Sequence, residues 1–123
     1  MEVLDIGKDL VALCREHKHL EAIEKYYADN VVSIEGASQG DMPARMEGLE
    51  TIKGKNNWWF ENNEVHSGTI EGPYCAEGDN RFVVHFSFDV TPKGGERMQM
   101  AEVGIYTVEG GKIVEERFLY LMA

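Results

Sequence analysis

The feature that most constrains the fold of this chain is a change of hydrophobic period near residue 65. Before that point apolar residues recur at three- and four-residue steps, the spacing of one helix face, and after it they alternate with a period of two, as in strands. We predict helices over residues 3–17, 19–28 and 48–62, with a short β-branched strand at 31–35 between the second and the third.

Four strand-like runs follow, at residues 65–77, 81–91, 96–108 and 112–122. The joints between them are short and rich in glycine, so each is expected to form a hairpin between antiparallel neighbours. Helices followed by a β-meander define the α+β class. We therefore predict three N-terminal helices packed on a four-stranded antiparallel sheet plus a short strand, and the length of 123 residues predicts a single domain over 1–123.

Charge and composition exclude several classes of function. The net charge of −10, from 22 acidic and 12 basic side chains, opposes binding to nucleic acid or to an anionic membrane. No apolar run approaches the roughly 18 residues that span a bilayer, and the N-terminus lacks a secretory signal pattern, so a cytoplasmic protein is predicted. The two cysteines and four histidines have no metal-ligand spacing, and we predict no metal or other cofactor.

Two segments carry a resemblance to a known family. Residues 26–36, Tyr-Tyr-Ala-Asp-Asn-Val-Val-Ser-Ile-Glu-Gly, resemble the helix-to-strand signature of NTF2-like proteins, and residues 106–118 are similar to the final hairpin of that family. With the tryptophan-bearing helix between them, the resemblance to SnoaL-like and ketosteroid-isomerase-like domains covers nearly the whole chain. It implies a cystatin-like cone, in which a strongly bent sheet encloses helices and a hydrophobic pocket, and frequently a homodimer through the convex sheet face.

Strand alternation indicates which side chains face this pocket. Glu102 and Glu116 each interrupt an otherwise apolar row. Burying an unpaired carboxylate costs several kcal/mol, so such a glutamate lies near the rim, is paired, or is protonated with a raised pKa. The side chains that we predict to contact a ligand are Trp58, His66, Tyr74, Phe82, Phe86, Met100, Tyr106, Glu116, Phe118 and Tyr120.

The two predicted catalytic residues are Glu35 and Glu102. In the ketosteroid isomerases of the family a catalytic aspartate has the spacing from the helix end that Glu35 has from Tyr27, so Glu35 resembles a proton-shuttling base. The alternative is a solvent-facing glutamate on an edge strand. Glu102 can supply a protonated carboxyl group from a displaced position, or it can belong to a structural ion pair.

The oxyanion-binding residues of those isomerases have no counterpart in this chain. Val11 stands where the isomerases have a tyrosine, and Gly104 stands where they have an aspartate. A ketosteroid isomerase proper is therefore not predicted. Tyr106 or Tyr120 can donate a phenolic hydrogen bond instead; the alternative is that both are core aromatics whose hydroxyls bind the backbone.

Two functions remain open from the sequence. The first is a cofactor-independent isomerase, cyclase or dehydratase that acts on a small carbonyl or polyketide-like compound, with Glu35 as its base. The second is a non-catalytic module that binds a hydrophobic ligand or dimerises. A row of the last strand predicted to face outward leaves apolar surface exposed and predicts a homodimer; its members are Ile113, Glu115, Arg117, Leu119 and Leu121.

Overall fold

The computed structural model describes residues 2–37 and 42–121. It is an α+β structure, and the three predicted helices are confirmed as α1 (Val3–Arg15), α2 (His19–Tyr26) and α3 (Leu49–Asn62). The strands are β1 (Tyr27–Ile34), β2 (Arg45–Glu47), β3 (Asn63–Tyr74), β4 (Arg81–Pro92), β5 (Met98–Glu109) and β6 (Lys112–Tyr120). Residue 122, the predicted end of the last strand, lies outside the described residues.

The six strands form one mixed sheet in the order β2-β1-β6-β5-β4-β3. The prediction of four antiparallel strands plus a short strand is therefore wrong in number and partly in direction. β1 follows α2 directly and runs parallel to β6, and β2 pairs antiparallel with β1. The start of β1 continues the helical spacing of α2, and β2 has only three residues, so the hydrophobic period identifies neither strand fully.

The helices pack on one face of the sheet, and the predicted inward face of β4 is that face. Phe82 and Val84 are fully buried and Phe86 is nearly so. α1 contributes its buried face to the same core, and Gly7 lets it approach closely, because a Cβ atom at that position would lie 2.8 Å from the Cβ atom of Pro73. The helices and the inner sheet face thus share one hydrophobic core.

Ile113 is a correction to the predicted outer row of the last strand. Its side chain is fully buried rather than exposed. The pairing of β5 with β6 shifts register between Thr107, which pairs with Glu115, and Val108, which pairs with Ile113, so β6 carries one extra residue. A bulge of this kind interrupts the alternation of faces, and both Ile113 and Glu116 consequently point into the core.

Replacing Ile113 by Ala tests this placement. Truncating a fully buried isoleucine should lower the free energy of unfolding by about 2–5 kcal/mol, because contacts are lost and a cavity remains. The matched control, Leu20→Ala on α2, truncates a side chain that is 38% exposed and should cost under about 1 kcal/mol. Urea denaturation measures both values, and equally small losses would contradict the buried position of Ile113.

Candidate functional site

A cavity of about 130 Å³ lies between the helices and the inner face of the sheet. An engineered apolar cavity of about 150 Å³ holds benzene, so the volume suits one aromatic ring. Nine of the predicted site residues line this cavity. They are Glu35, Trp58, Phe86, Met100, Glu102, Tyr106, Glu116, Phe118 and Tyr120.

Three predicted ligand-binding residues do not line the cavity. Phe82 lies in the core beneath it, with its ring stacked on Tyr106 at a centroid distance of 4.9 Å. His66 is exposed where β3 shifts register against β4, and its Nε2 atom lies 2.8 Å from Thr91 Oγ1. Tyr74 follows a second register shift and is 56% exposed. The irregularities of β3 thus break the alternation on which the predictions for His66 and Tyr74 rested.

Lys55 lies at the centre of the polar part of the cavity, and the sequence reasoning missed it. Its Nζ atom is 2.6 Å from Ser33 Oγ, 3.0 Å from Glu35 Oε1 and 3.5 Å from Glu116 Oε1. The ammonium group also lies 5.1 Å from the centroid of the Phe118 ring. Lys55 follows the buried Ile52 by three residues on α3, and this spacing was the available signal that it faces inward.

Glu116 is paired on both of its oxygens although it is almost completely buried. The Tyr27 hydroxyl donates a hydrogen bond of 2.5 Å to Oε2, and the Lys55 ammonium lies near Oε1. Burial raises the pKa of Tyr27 well above its usual range, and the Glu116 charge raises it further, so the phenol stays protonated as a donor. Of the three predicted possibilities, a position near the rim, a paired carboxylate or a protonated one, the structure shows that Glu116 is paired.

Glu35 faces the cavity rather than bulk solvent. One of its oxygens pairs with the Lys55 ammonium, and the other accepts a hydrogen bond of 3.3 Å from the Tyr120 hydroxyl. The side chain is 18% exposed, so solvent still reaches part of it.

Glu102 lies on the same cavity in a different environment. No side chain among the described residues donates a hydrogen bond to it. Its pKa is raised to about 7, mainly by burial and then by the Glu35 charge, while Lys55 lowers it and Glu116 adds a smaller increase. Near neutral pH a large fraction of Glu102 therefore carries a proton that it can donate.

The Tyr106 ring lies back along β5 across Gly104, towards Glu102. A Cβ atom at position 104 would lie 2.9 Å from Tyr106 Cε2 and 3.1 Å from its hydroxyl oxygen. Burial raises the pKa of Tyr106 well above its usual range, and the nearby Glu116 charge adds to this, so the hydroxyl remains protonated. A protonated carboxyl group and a phenol thus approach one side of the cavity from the same strand.

The other polar side chains that the structure describes in the cavity are uncharged. His19 stacks on Phe60 with ring centroids 4.7 Å apart, and burial lowers its pKa. Burial raises the pKa of Cys14 to about 12, so its thiol stays protonated and is not a nucleophile. Within residues 2–37 and 42–121, no three His, Cys, Asp or Glu side chains are grouped to hold a metal ion. Over the same ranges no helix is long and apolar enough to cross a membrane.

Comparison with known proteins identifies the family. The family model described as the SnoaL-like domain matches residues 1–120. The chain therefore belongs to the SnoaL-like family, which confirms the resemblance seen in the sequence. A comparison with curated proteins gives no significant match.

Solved structures agree with this assignment. The chain is 48% identical to a candidate SnoaL-like polyketide cyclase from Mesorhizobium loti, with a TM-score of 0.89 over 98% of this chain and 100% of that one. A protein of unknown function with a cystatin-like fold from Xanthomonas campestris gives 16% identity and a TM-score of 0.74, covering 99% and 92% of the two chains. An NTF2-like protein of unknown function from Burkholderia pseudomallei is 13% identical with a TM-score of 0.73, over 98% of this chain and 92% of that one. The last two show the fold alone, which is cystatin-like.

The raised pKa of Glu102 predicts a pH dependence of stability. Its pKa is about 7 in the folded protein against an ordinary value of 4.5, so on raising the pH the unfolded chain ionises first. The folded state therefore loses stability as pH rises from about 5, and the loss is complete above about pH 7. Because Glu102→Gln cannot ionise, its unfolding free energy relative to wild type should rise by roughly 2 kcal/mol between pH 5 and pH 8.

Urea denaturation of both proteins at the two pH values measures this difference. Glu109→Gln removes a carboxylate from the exposed end of β5 and is the matched control, for which we expect no such rise. A difference between Glu102→Gln and wild type that stays constant with pH would show that the folded protein does not hold Glu102 protonated.

Proposed function

We propose that the cavity binds a small, largely apolar carbonyl compound and transfers a proton on it, as a cofactor-independent isomerase, cyclase or dehydratase. The observation that carries the proposal is that two carboxyl groups of one cavity lie in opposite environments. Glu35 is ion-paired with Lys55, whereas Glu102 is shielded from water with a pKa raised to about 7. Environments that separate two carboxyl groups in this way assign one as base and the other as acid.

In the proposed reaction, the Glu35 carboxylate removes a proton from the carbon next to the carbonyl group. The electron pair of the broken C–H bond moves to the carbonyl oxygen, which accepts hydrogen bonds from the Tyr106 hydroxyl and the protonated Glu102. Return of the proton to another carbon gives an isomerase. Attack of the enolate carbon on a second carbonyl group forms a C–C bond, and transfer of the proton from Glu35 to the new alkoxide completes a cyclase reaction. If the enolate instead expels a neighbouring hydroxyl group, that group takes the proton from Glu35 and leaves as water, as in a dehydratase.

The walls of the cavity and the similarity to the Mesorhizobium loti protein support this substrate class. Aromatic side chains from α3 and the sheet, among them Trp58, Trp59 and Phe86, offer apolar area to a planar ligand. The relative of 48% identity is a candidate polyketide cyclase, and polyketides are carbonyl compounds of this kind. Ketosteroid isomerases also combine a tyrosine with a protonated carboxylic acid as donors, although at other positions.

A non-catalytic binding module is the second candidate, and one observation favours it. Neither residue of the isomerase oxyanion site has a polar counterpart, since Val11 is buried in the core and Gly104 has no side chain. The same cavity then holds a hydrophobic ligand without reaction. The two functions differ in whether a proton leaves the bound ligand.

Hydrogen exchange of acetophenone in deuterated buffer distinguishes the two functions. We expect the wild-type protein to accelerate loss of the methyl ¹H signal, and Glu35→Gln to reduce the acceleration by on the order of 100-fold or more with little change in binding. Glu102→Gln should also slow exchange, whereas Glu109→Gln should match wild type. Binding of acetophenone with no acceleration above that of Glu35→Gln would support the non-catalytic module.

We also propose that the protein forms a homodimer through the outer face of the sheet. Leu119 and Leu121 are 47% and 46% exposed, and the backbone of Leu121 bonds that of Ala101 on the neighbouring β5. Val103, which pairs with Leu119, extends the apolar surface across the two strands. A contiguous patch of this kind is commonly covered by a partner.

Sedimentation velocity at micromolar concentration tests the dimer. We expect the wild-type protein to sediment as a dimer and Leu119→Glu to sediment as a monomer, because a charge at a buried interface is costly. Leu20→Glu introduces the same charge on α2, away from the sheet, and should remain dimeric. A monomeric wild-type protein would rule out the interface.

A further inference from the structure

We propose that the cavity selects its ligand by charge: it accepts a neutral aromatic ketone and rejects the matching carboxylate, although a lysine lies inside it. The inference rests on the proposed function for the location of the binding site, and it adds the class of substrate. Its physical basis is that the Lys55 ammonium is already occupied by oxygens of the protein.

The contacts of Lys55 already engage its ammonium group with oxygens of the protein, two of them from carboxylates. The ammonium group donates hydrogen bonds to Ser33 Oγ and Glu35 Oε1, and Glu116 Oε1 lies 3.5 Å from Nζ as a second ion-pair partner. The Phe118 ring covers a further side of the group. A ligand carboxylate could bind Lys55 only by displacing a buried carboxylate of the protein, which would then lose its own partner.

The charges around the cavity also oppose an anion. Among the described lining residues, the acidic Glu35 and Glu116 outnumber Lys55, the one lysine or arginine, and Glu102 adds negative charge only in the fraction that is ionised. Burial lowers the pKa of His19, so the imidazole is neutral and adds no positive charge. A bound carboxylate would exchange its water shell for a site in which negative charge is in excess.

The remaining donors fit a neutral oxygen. The Tyr106 hydroxyl has no hydrogen-bond partner among the described residues, and a carboxyl proton of Glu102 is likewise available. Both groups donate, so they require an acceptor such as a ketone oxygen. The ring of an aryl ketone would lie against the aromatic walls, and the oxygen would lie between the two donors.

Three small probes with the same ring separate the possibilities: acetophenone, benzoate and benzylammonium. Trp58 and Trp59 are the two tryptophans of the chain and both line the cavity, so their indole ¹H–¹⁵N signals report occupancy directly. We expect acetophenone to shift both signals with the lowest dissociation constant. Benzoate should bind on the order of 30-fold more weakly than acetophenone. Its negative charge would lie within a few ångströms of acidic side chains in a partly buried site, where the repulsion is weakly screened.

Two variants locate the source of the discrimination. At pH 8, above its pKa of about 7, Glu102 is mostly ionised, so Glu102→Gln removes a negative charge from the cavity and should improve benzoate binding several-fold relative to acetophenone. Glu109→Gln removes a negative charge at the exposed end of β5, outside the cavity, and should leave the ratio of the two dissociation constants unchanged. An equal improvement in both variants would attribute the effect to overall charge and overturn the inference.

Benzoate that binds as tightly as acetophenone would overturn the proposed selection against anions, and tighter binding of benzylammonium would overturn the neutral class. Failure of all three probes to shift the indole signals would overturn both the inference and the proposed binding site. Acetophenone that binds preferentially but shows no deuterium exchange would support the charge selection and overturn the catalytic function alone.

Discussion

The site depends on a single ammonium group. Lys55 joins α3 to two strands, because its Nζ atom contacts Ser33 and Glu35 from the β1 region and Glu116 from β6. Removing one member of a buried ion pair typically costs about 3–5 kcal/mol, since the remaining charge has lost its partner. With Lys55 in place, two carboxylates can lie beside an aromatic cavity, and the apolar walls can close around them.

Sheet topology places this cluster beside Glu102. The parallel pairing of β1 with β6 sets Ser33 opposite Glu116, and the antiparallel pairing of β5 with β6 sets Glu102 opposite Tyr120. Tyr120 in turn donates to Glu35. Two glutamates far apart in the sequence thus share one cavity, yet Lys55 pairs directly with only one of them, and this asymmetry makes their chemistry differ.

Local sequence patterns predicted the helices and the inward face of β4, because each depends on a period that neighbouring residues display. They did not predict the β1–β6 pairing, which joins residues more than 80 positions apart. Single extra residues in strands also caused wrong predictions. The bulges beside Ile113 and at His66 reverse which side chains of the strand face the core. The spacing from Ile52 places Lys55 on the inner side of α3, but a lysine there commonly extends its ammonium group to solvent, and the sequence does not show the acceptors that hold it inside.

Gly104 leaves space that Tyr106 occupies, so the lack of an isomerase aspartate at this position has a structural consequence. In the sequence, Gly104 stands where the isomerases have an aspartate, so the chain lacks an oxyanion donor at this position. The structure gives the glycine a different consequence, because a Cβ atom there would lie within 3.1 Å of the Tyr106 ring and hydroxyl. Any side chain at position 104 would displace that phenol from the cavity wall. The absence of an acid at 104 is therefore what allows Tyr106 to occupy the space beside Glu102, and the proposed donor pair requires that absence.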